Sequence, residues 1–251
     1  MTTGGRQVGV VDYVKERTPW PIRRVTRRLK REFRWAHTAW RPVGAVFGNI
    51  YQRNMWGGES GSFYSGPGSD SLAAKLYTEG IKAFIADHNV KSVVDLGCGD
   101  FRVASSFLSE DVSYVGVDIV EALIRENIPK YRNEKIDFAC LNIIEDRLPK
   151  GELCLMREVL QHLSNAQILK IIPKLREFKF AIYTDYQPAS GVRCRPNRDI
   201  SHGVDIRIWR GSALFLDQPP FNVPMRLLFD APASTALLGP GERICTYLLW
   251  P

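Results

Sequence analysis

The chain has no apolar run near the ~20 residues a membrane span requires, so no transmembrane helix is expected. It is poor in the residues that build disulfide or metal frameworks. Its five cysteines (Cys98, Cys140, Cys154, Cys194, Cys245) are scattered, odd in number and include no Cys-x-x-Cys pair. That pattern argues against a zinc site and for reduced thiols in a cytoplasmic protein. Residues 1–10 lack a basic segment leading into an apolar stretch, so no secretory signal is expected. No internal repeat is visible. Apolar content is ample: 45% of 251 residues, enough for a full core and incompatible with global disorder. The length suits one α/β domain of ordinary size with an additional segment.

Charge of one sign is concentrated. The formal net charge is +7, and between Arg17 and Arg41 nine basic residues face one acid, Glu32. The excess therefore belongs to an N-terminal extension. Within it Ile22, Val25, Leu29, Phe33, Ala36 and Trp40 recur at three- and four-residue steps, which predicts a basic amphipathic helix over 22–40. Three readings remain open. The helix packs its apolar face on the domain, lies on an anionic membrane surface, or offers cations to an acidic acceptor. Nucleic acid ranks last, because no module with base-stacking aromatics accompanies the charge.

The most informative stretch is Val93-Val94-Asp95-Leu96-Gly97-Cys98-Gly99-Asp100. Val93, Val94 and Leu96 form an apolar strand, and Gly97 and Gly99 make a tight turn where backbone can approach a ligand. Phe101–Leu108 then shows a helical pattern. Such a turn is expected to present free backbone N–H groups at a strand's carboxyl end, where open α/β sheets bind ligands. A dinucleotide fingerprint wants a third glycine at position 102, which here is Arg102, so the nicotinamide reading is incomplete. A strand over 113–117 follows and ends at Asp118. That acid, some 20 residues after the glycine turn, is placed to accept from two ribose hydroxyls. Further strands are read at 135–141, 153–156 and 180–184, the last ending at Asp185 at the cleft. Helices are read at 72–88, capped by Asp70 or Ser71 with Leu72, Leu76, Ile81, Phe84 and Ile85 inward, and at 165–178, broken near Pro173. Strands at 225–229 and 244–250 close the sheet.

The apolar-apolar-acid-apolar-Gly-x-Gly-x pattern at 93–100 resembles motif I of class I S-adenosylmethionine-dependent methyltransferases. Val159-Leu160-Gln161-His162-Leu163-Ser164-Asn165 resembles the segment after strand four in many of them. Trp56-Gly57-Gly58, Ser65-Gly66-Pro67-Gly68-Ser69, Asp199-Ile200 with Asp205 and Arg207, and Pro219-Pro220-Phe221-Asn222 look like bacterial methyltransferases of saccharide and natural-product pathways. The resemblance implies a Rossmann-like α/β fold: a seven-stranded, mostly parallel sheet with one antiparallel strand and an N-terminal helical extension. It divides the chain into residues 1–69, extension and aromatic/glycine lid, and 70–251, catalytic domain with an acceptor loop at 187–220.

On this resemblance S-adenosylmethionine is the cofactor. Asp95, Gly97, Cys98 and Gly99 would hold its amino-acid end, Asp118 and Ile119 the ribose, and Asn142 and Ile143 the adenine. Asn142 stands where an Asp is common. Trp56, Ser69 and Arg157 complete the cofactor set. His162 is the first choice for a base that deprotonates an acceptor hydroxyl, with Glu158 and Asp185 in reserve. A structural role for His162 is the alternative. Tyr64, Asn197, Asp199, His202, Asp205 and Arg207 suit a polyhydroxylated or phosphorylated acceptor, or are a solvated insertion. Their carboxylates could instead gather a divalent cation, which spacing alone does not establish. The expected activity is O-methylation, at a hydroxyl or phosphate oxygen, of a polar, saccharide-type acceptor by a cytoplasmic chain whose basic helix over 22–40 could also touch an anionic membrane peripherally. The alternatives are methylation of a nucleic acid, lipid or other small molecule, and a non-catalytic cofactor-binding subunit.

Overall fold

The computed structural model describes residues 38–59, 61–233 and 241–251. The basic helix expected over 22–40 lies almost wholly outside the described residues. Seven strands form one sheet: β1 Ser92–Leu96, β2 Ser113–Asp118, β3 Ile136–Cys140, β4 Leu153–Arg157, β5 Phe180–Gln187, β6 Met225–Pro232 and β7 Arg243–Leu249. Their spatial order is 3-2-1-4-5-7-6. Strands β1 to β5 pair in parallel, and β7 runs antiparallel to both β5 and β6. The expected sheet with one antiparallel strand is the sheet observed.

The central strands are buried on both faces, which is why they read as apolar runs rather than alternating ones. Val93, Leu153 and Leu155 face one core layer with Tyr77, Ile81 and Ile124. Val94, Leu96, Cys154 and Met156 face the other with Ile168 and Ile171. Helices α2 (Leu72–Asp87) and α3 (Glu121–Tyr131) supply the first layer, and α4 (Asn165–Ile171) supplies part of the second. Ser71 caps α2, its Oγ accepting from the Ala74 N–H. Ser164 and Gln167 form a capping box on α4, and Pro173 sits in the 3-10 turn that continues it. Helix α1 (Val43–Gln52) packs Gly44 and Phe47 over the carboxyl end of β2, against Ile119, Val120 and Leu123. Among the described residues no helix is long and apolar enough to cross a membrane.

Four sequence expectations need correction. Phe101–Leu108 is not an α-helix; only a 3-10 turn forms at Ala104–Ser106. Phe101 takes φ +62°, and Ser105 and Ser106 both donate to the Arg102 carbonyl, which competes with helical bonding. Leu72 opens α2 at 62% exposure, while Ala73, Ala74 and Tyr77 turn inward instead. The expected lid is not irregular up to its glycines: Tyr51, one of its aromatics, belongs to α1. Strand β5 runs three residues past Thr184, so Asp185 pairs with Cys245 inside the sheet instead of ending a strand at the cleft.

Candidate functional site

A cavity of ≈ 1120 Å³, open solvent at its mouth included, lies at the carboxyl ends of β1 to β4. Parallel strands that splay helices to either side leave such a crevice where strand order reverses, here between β1 and β4. Asp95, Gly97, Cys98, Gly99, Asp118, Ile119, Asn142, Ile143, Arg157, Trp56 and Ser69, all chosen from the sequence for the cofactor, line it, as do His162 and Glu158. Asp185 does not.

The glycine turn is shaped by close approach. Gly97 and Gly99 sit at φ +77° and +56°. A Cβ at Gly97 would meet Val159 Cγ2 at 2.3 Å, and one at Gly99 would meet Ser65 Oγ at 2.3 Å. The N–H groups expected to be free are committed inside the chain. Gly97 N and Cys98 N donate to the Val117 carbonyl at 2.7 and 3.0 Å. Gly99 N donates to Asp118 Oδ2 at 3.3 Å, and Asp100 N to Ser65 Oγ at 3.0 Å. The bond is returned, Ser65 N donating to Asp100 Oδ2 at 3.2 Å. Tyr51 Oη stands 3.1 Å from the same Ser65 hydroxyl. Sequence reasoning missed Ser65 and Asp100 as site residues, although both lay inside motifs it singled out; only their pairing was invisible.

Two buried acids flank the turn. Burial pushes Asp95 up to about 6, against the lowering effect of the Tyr114 hydroxyl, which donates to its Oδ2 at 2.9 Å. Burial likewise pushes Asp118 up to about 6, against lowering bonds from the Val120 and Gly99 N–H groups. Both carboxylates line the cavity, and each has lone pairs beyond the bonds it accepts inside the chain. Asn142 is anchored at both levels: its side-chain Oδ1 accepts from the Ile144 N–H at 3.1 Å, and its backbone N–H donates to Asp146 Oδ2 at 2.8 Å.

The far wall is aromatic. Trp56 lies 5.3 Å from the His162 ring and 5.1 Å from Tyr51, centroid to centroid, and Phe47 lies 6.3 Å from His162. His162 Nδ1 is 3.0 Å from the Gly203 carbonyl, which can only accept. Nδ1 therefore carries the proton and Nε2 the lone pair. Burial lowers the ring to about 4, opposed by the Gly203 bond, so the imidazole is neutral near pH 7.

None of the six expected acceptor residues lines this cavity. Asn197 donates to the carbonyls of Phe215, Gln218 and Pro219 and accepts from the Phe215 N–H, which folds the 187–220 loop. Asp199 Oδ1 accepts from Asn165 N and Ile200 N. Arg207, 1% exposed, donates to the carbonyls of Leu160, Gln161 and Leu163 and to Asn165 Oδ1. His202 joins Gln167 Nε2 to the Arg41 carbonyl, each at 3.0 Å, and Ser201 Oγ meets Thr38 Oγ1 at 2.8 Å. Of the residues read as acceptor ligands or a solvated insertion, Asn197, His202 and Arg207 are thus a brace behind His162, while Asp199 stays exposed. Asp205 belongs to it through its backbone, which also bonds His162. Tyr64 packs over Gly58 and under the Arg102 guanidinium, 5.4 Å away. Asp185, 1% exposed and pushed up to about 8 by burial, accepts from Tyr183 Oη and Tyr186 N. Burial inside the sheet removes it from the reserve bases. Among the described residues no three His, Cys, Asp or Glu side chains gather as a metal site.

No protein-family profile matches the sequence, and no curated protein matches it significantly. Solved structures do match in shape. The magnesium protoporphyrin IX methyltransferase of Synechocystis, with bound S-adenosylmethionine, superposes with a TM-score of 0.52 at 15% identity, covering 84% of this chain and 98% of that one. The 1,6-didemethyltoxoflavin-N1-methyltransferase of Burkholderia thailandensis, with its acceptor and S-adenosylhomocysteine, gives a TM-score of 0.53 at 14% identity, covering 83% and 88%. With the strand order 3-2-1-4-5-7-6, these likenesses establish that the chain has the Rossmann-like fold of class I methyltransferases.

Proposed function

We propose that the chain is an S-adenosylmethionine-dependent methyltransferase whose cofactor occupies the cavity at the ends of β1 to β4. The observation that carries this reading is that every residue selected from the sequence for the cofactor lines that one cavity. Bound there, the cofactor would supply a sulfonium-activated methyl group. The protein's task is to align the acceptor in line with it and exclude water. Asp118 would take the ribose hydroxyls, the Asn142–Ile144 turn the adenine, and Trp56 and Phe47 would cover the ligand.

For the acceptor we favour an oxygen, with His162 Nε2 receiving the proton. The neutral ring is in the form a base requires. A saccharide-type acceptor now rests on the resemblance of the lid and of residues 199–222. None of the six side chains offered for it lines the cavity. Its depressed basicity favours, as a second reading, a structural His162 and an acceptor that needs no strong base. Isothermal titration with S-adenosylhomocysteine tests the central claim: a folded protein that gives no binding refutes it. If His162 is the base, His162→Ala lowers turnover by about 10²–10⁴-fold with cofactor affinity kept. A drop of a few-fold selects the second reading.

A further inference from the structure

Where the N-terminal segment joins the fold, the loop after β5 carries an uncompensated run of cations. From Gln187 to Arg198 the sequence holds Arg193, Arg195 and Arg198 and no acid. All three arginines are exposed, and among the described residues none of their guanidiniums has an ion pair or hydrogen bond. Their backbone is nonetheless fixed. Arg195 N donates to the Gly211 carbonyl and Arg198 N to Ser212 Oγ, each at 3.0 Å, and the buried Asn197 between them spends its amide on carbonyls of the 215–219 turn. The same loop receives the chain that enters α1. Arg210, next to Gly211, shares a small recess with Thr38, Ser201 and His202, and the Arg41 carbonyl bonds His202. Arg41 and Arg210 bring the cations at this junction to five, against Asp199 and Asp205.

Exposed apolar side chains are interleaved with these cations. Trp40, beside Arg41, is 91% exposed, and Val192, beside Arg193, is 42% exposed. Leaving a tryptophan in water forfeits the burial of its large apolar ring. Cations alone would suit any polyanion. An exposed indole and isopropyl group among guanidiniums match the water–lipid interface, where the indole sits at headgroup level and arginines meet phosphates. We propose that this face, Trp40–Arg41 together with Val192–Arg198, docks on an anionic lipid bilayer. The strongly basic sequence from Arg17 onward enters the fold at the same junction and adds charge of the same sign. Docking needs no cofactor. Its consequence is placement: after Pro42 comes α1, whose Val43, Phe47 and Tyr51 line the cavity, so a docked bilayer lies near the aromatic wall of the site.

Co-sedimentation of the full chain with phosphatidylcholine vesicles, with and without phosphatidylserine, is the test. Wild type should bind the phosphatidylserine vesicles and lose most of that binding at high salt, because exposed charges are screened. Each cation near an anionic surface is worth roughly fivefold in partition, so Arg193→Ser, Arg195→Ser and Arg198→Ser together should weaken it about 100-fold. Thermal melting of that triple variant should be unchanged, since backbone atoms make the bonds at 195 and 198. Trp40→Ser should weaken partition by about tenfold, at high salt as well as low, because burial of the ring is not screened. Failure of wild type to bind phosphatidylserine vesicles overturns the proposal. So does a triple variant that binds within about twofold of wild type, which assigns the binding to residues 1–37 alone. A Trp40→Ser variant within about twofold of wild type, or wild type that binds double-stranded DNA more tightly than vesicles, makes the face a general polyanion site and overturns the bilayer reading.

Discussion

Replacing Gly97 by alanine tests whether the glycine turn is fixed by Val159, two residues past the end of β4. The perturbation has two parts. At φ +77° an L-residue costs about 1–2 kcal/mol relative to glycine. The new methyl would also stand 2.3 Å from Val159 Cγ2 and 3.2 Å from Cγ1. Overpacking of that kind costs roughly 1–3 kcal/mol when the neighbours cannot move. The turn cannot simply back away, since the Val117 carbonyl holds both Gly97 N and Cys98 N. Gly97→Ala should therefore destabilise the protein by about 2–5 kcal/mol. Val159→Ala removes both offending carbons and leaves a Cβ 3.4 Å away, an ordinary contact. In that background only the backbone cost of about 1–2 kcal/mol should remain. Urea unfolding of the four proteins gives the cycle, and the double variant should be more stable than additivity allows by about 1–3 kcal/mol. Additivity within about 0.5 kcal/mol would refute the reasoning, because the two positions would then not be in contact.

Asp185 predicts a pH dependence. Its folded value near 8 lies above the ordinary carboxylate value, so the stability it adds as a neutral acid is complete below about pH 4 and is lost as pH rises through 8. Asp185→Asn should lack that loss, so the variant should gain on wild type by roughly 2–5 kcal/mol between about pH 5 and pH 9 in urea unfolding; a constant difference contradicts a raised Asp185. Arg207→Met strands three carbonyls and Asn165 Oδ1, and should cost about 3–5 kcal/mol in thermal or urea unfolding. A loss under about 1 kcal/mol would mean the 187–220 loop does not brace the His162 segment.

The central strands β1 and β4 were readable because burial on both faces writes itself as apolar runs, and the strand ends placed Asp118, Asn142 and Arg157 at one crevice. The 101–108 stretch shows what periodicity misses. Its apolar spacing is helical, but Phe101 turns at positive φ and two serines bond the Arg102 carbonyl. Polarity misled in residues 197–207. A polar residue in a long loop reads as ligand or solvated surface, and nothing local says that Asn197 will spend its amide on Phe215, Gln218 and Pro219. The reach of those bonds, 18 to 22 residues, lies beyond any local pattern. The Ser65–Asp100 exchange spans 35 residues and was hidden for the same reason.

Thr38 and Arg41 are where the strongly basic N-terminal segment joins the described fold, and they join it at the brace. Thr38 meets Ser201, Arg41 meets His202, and the next residue, Gly203, exchanges two bonds with His162. The chain that enters α1 and the imidazole are therefore tied to the same three consecutive residues, Ser201 to Gly203, so displacing the one moves the support of the other.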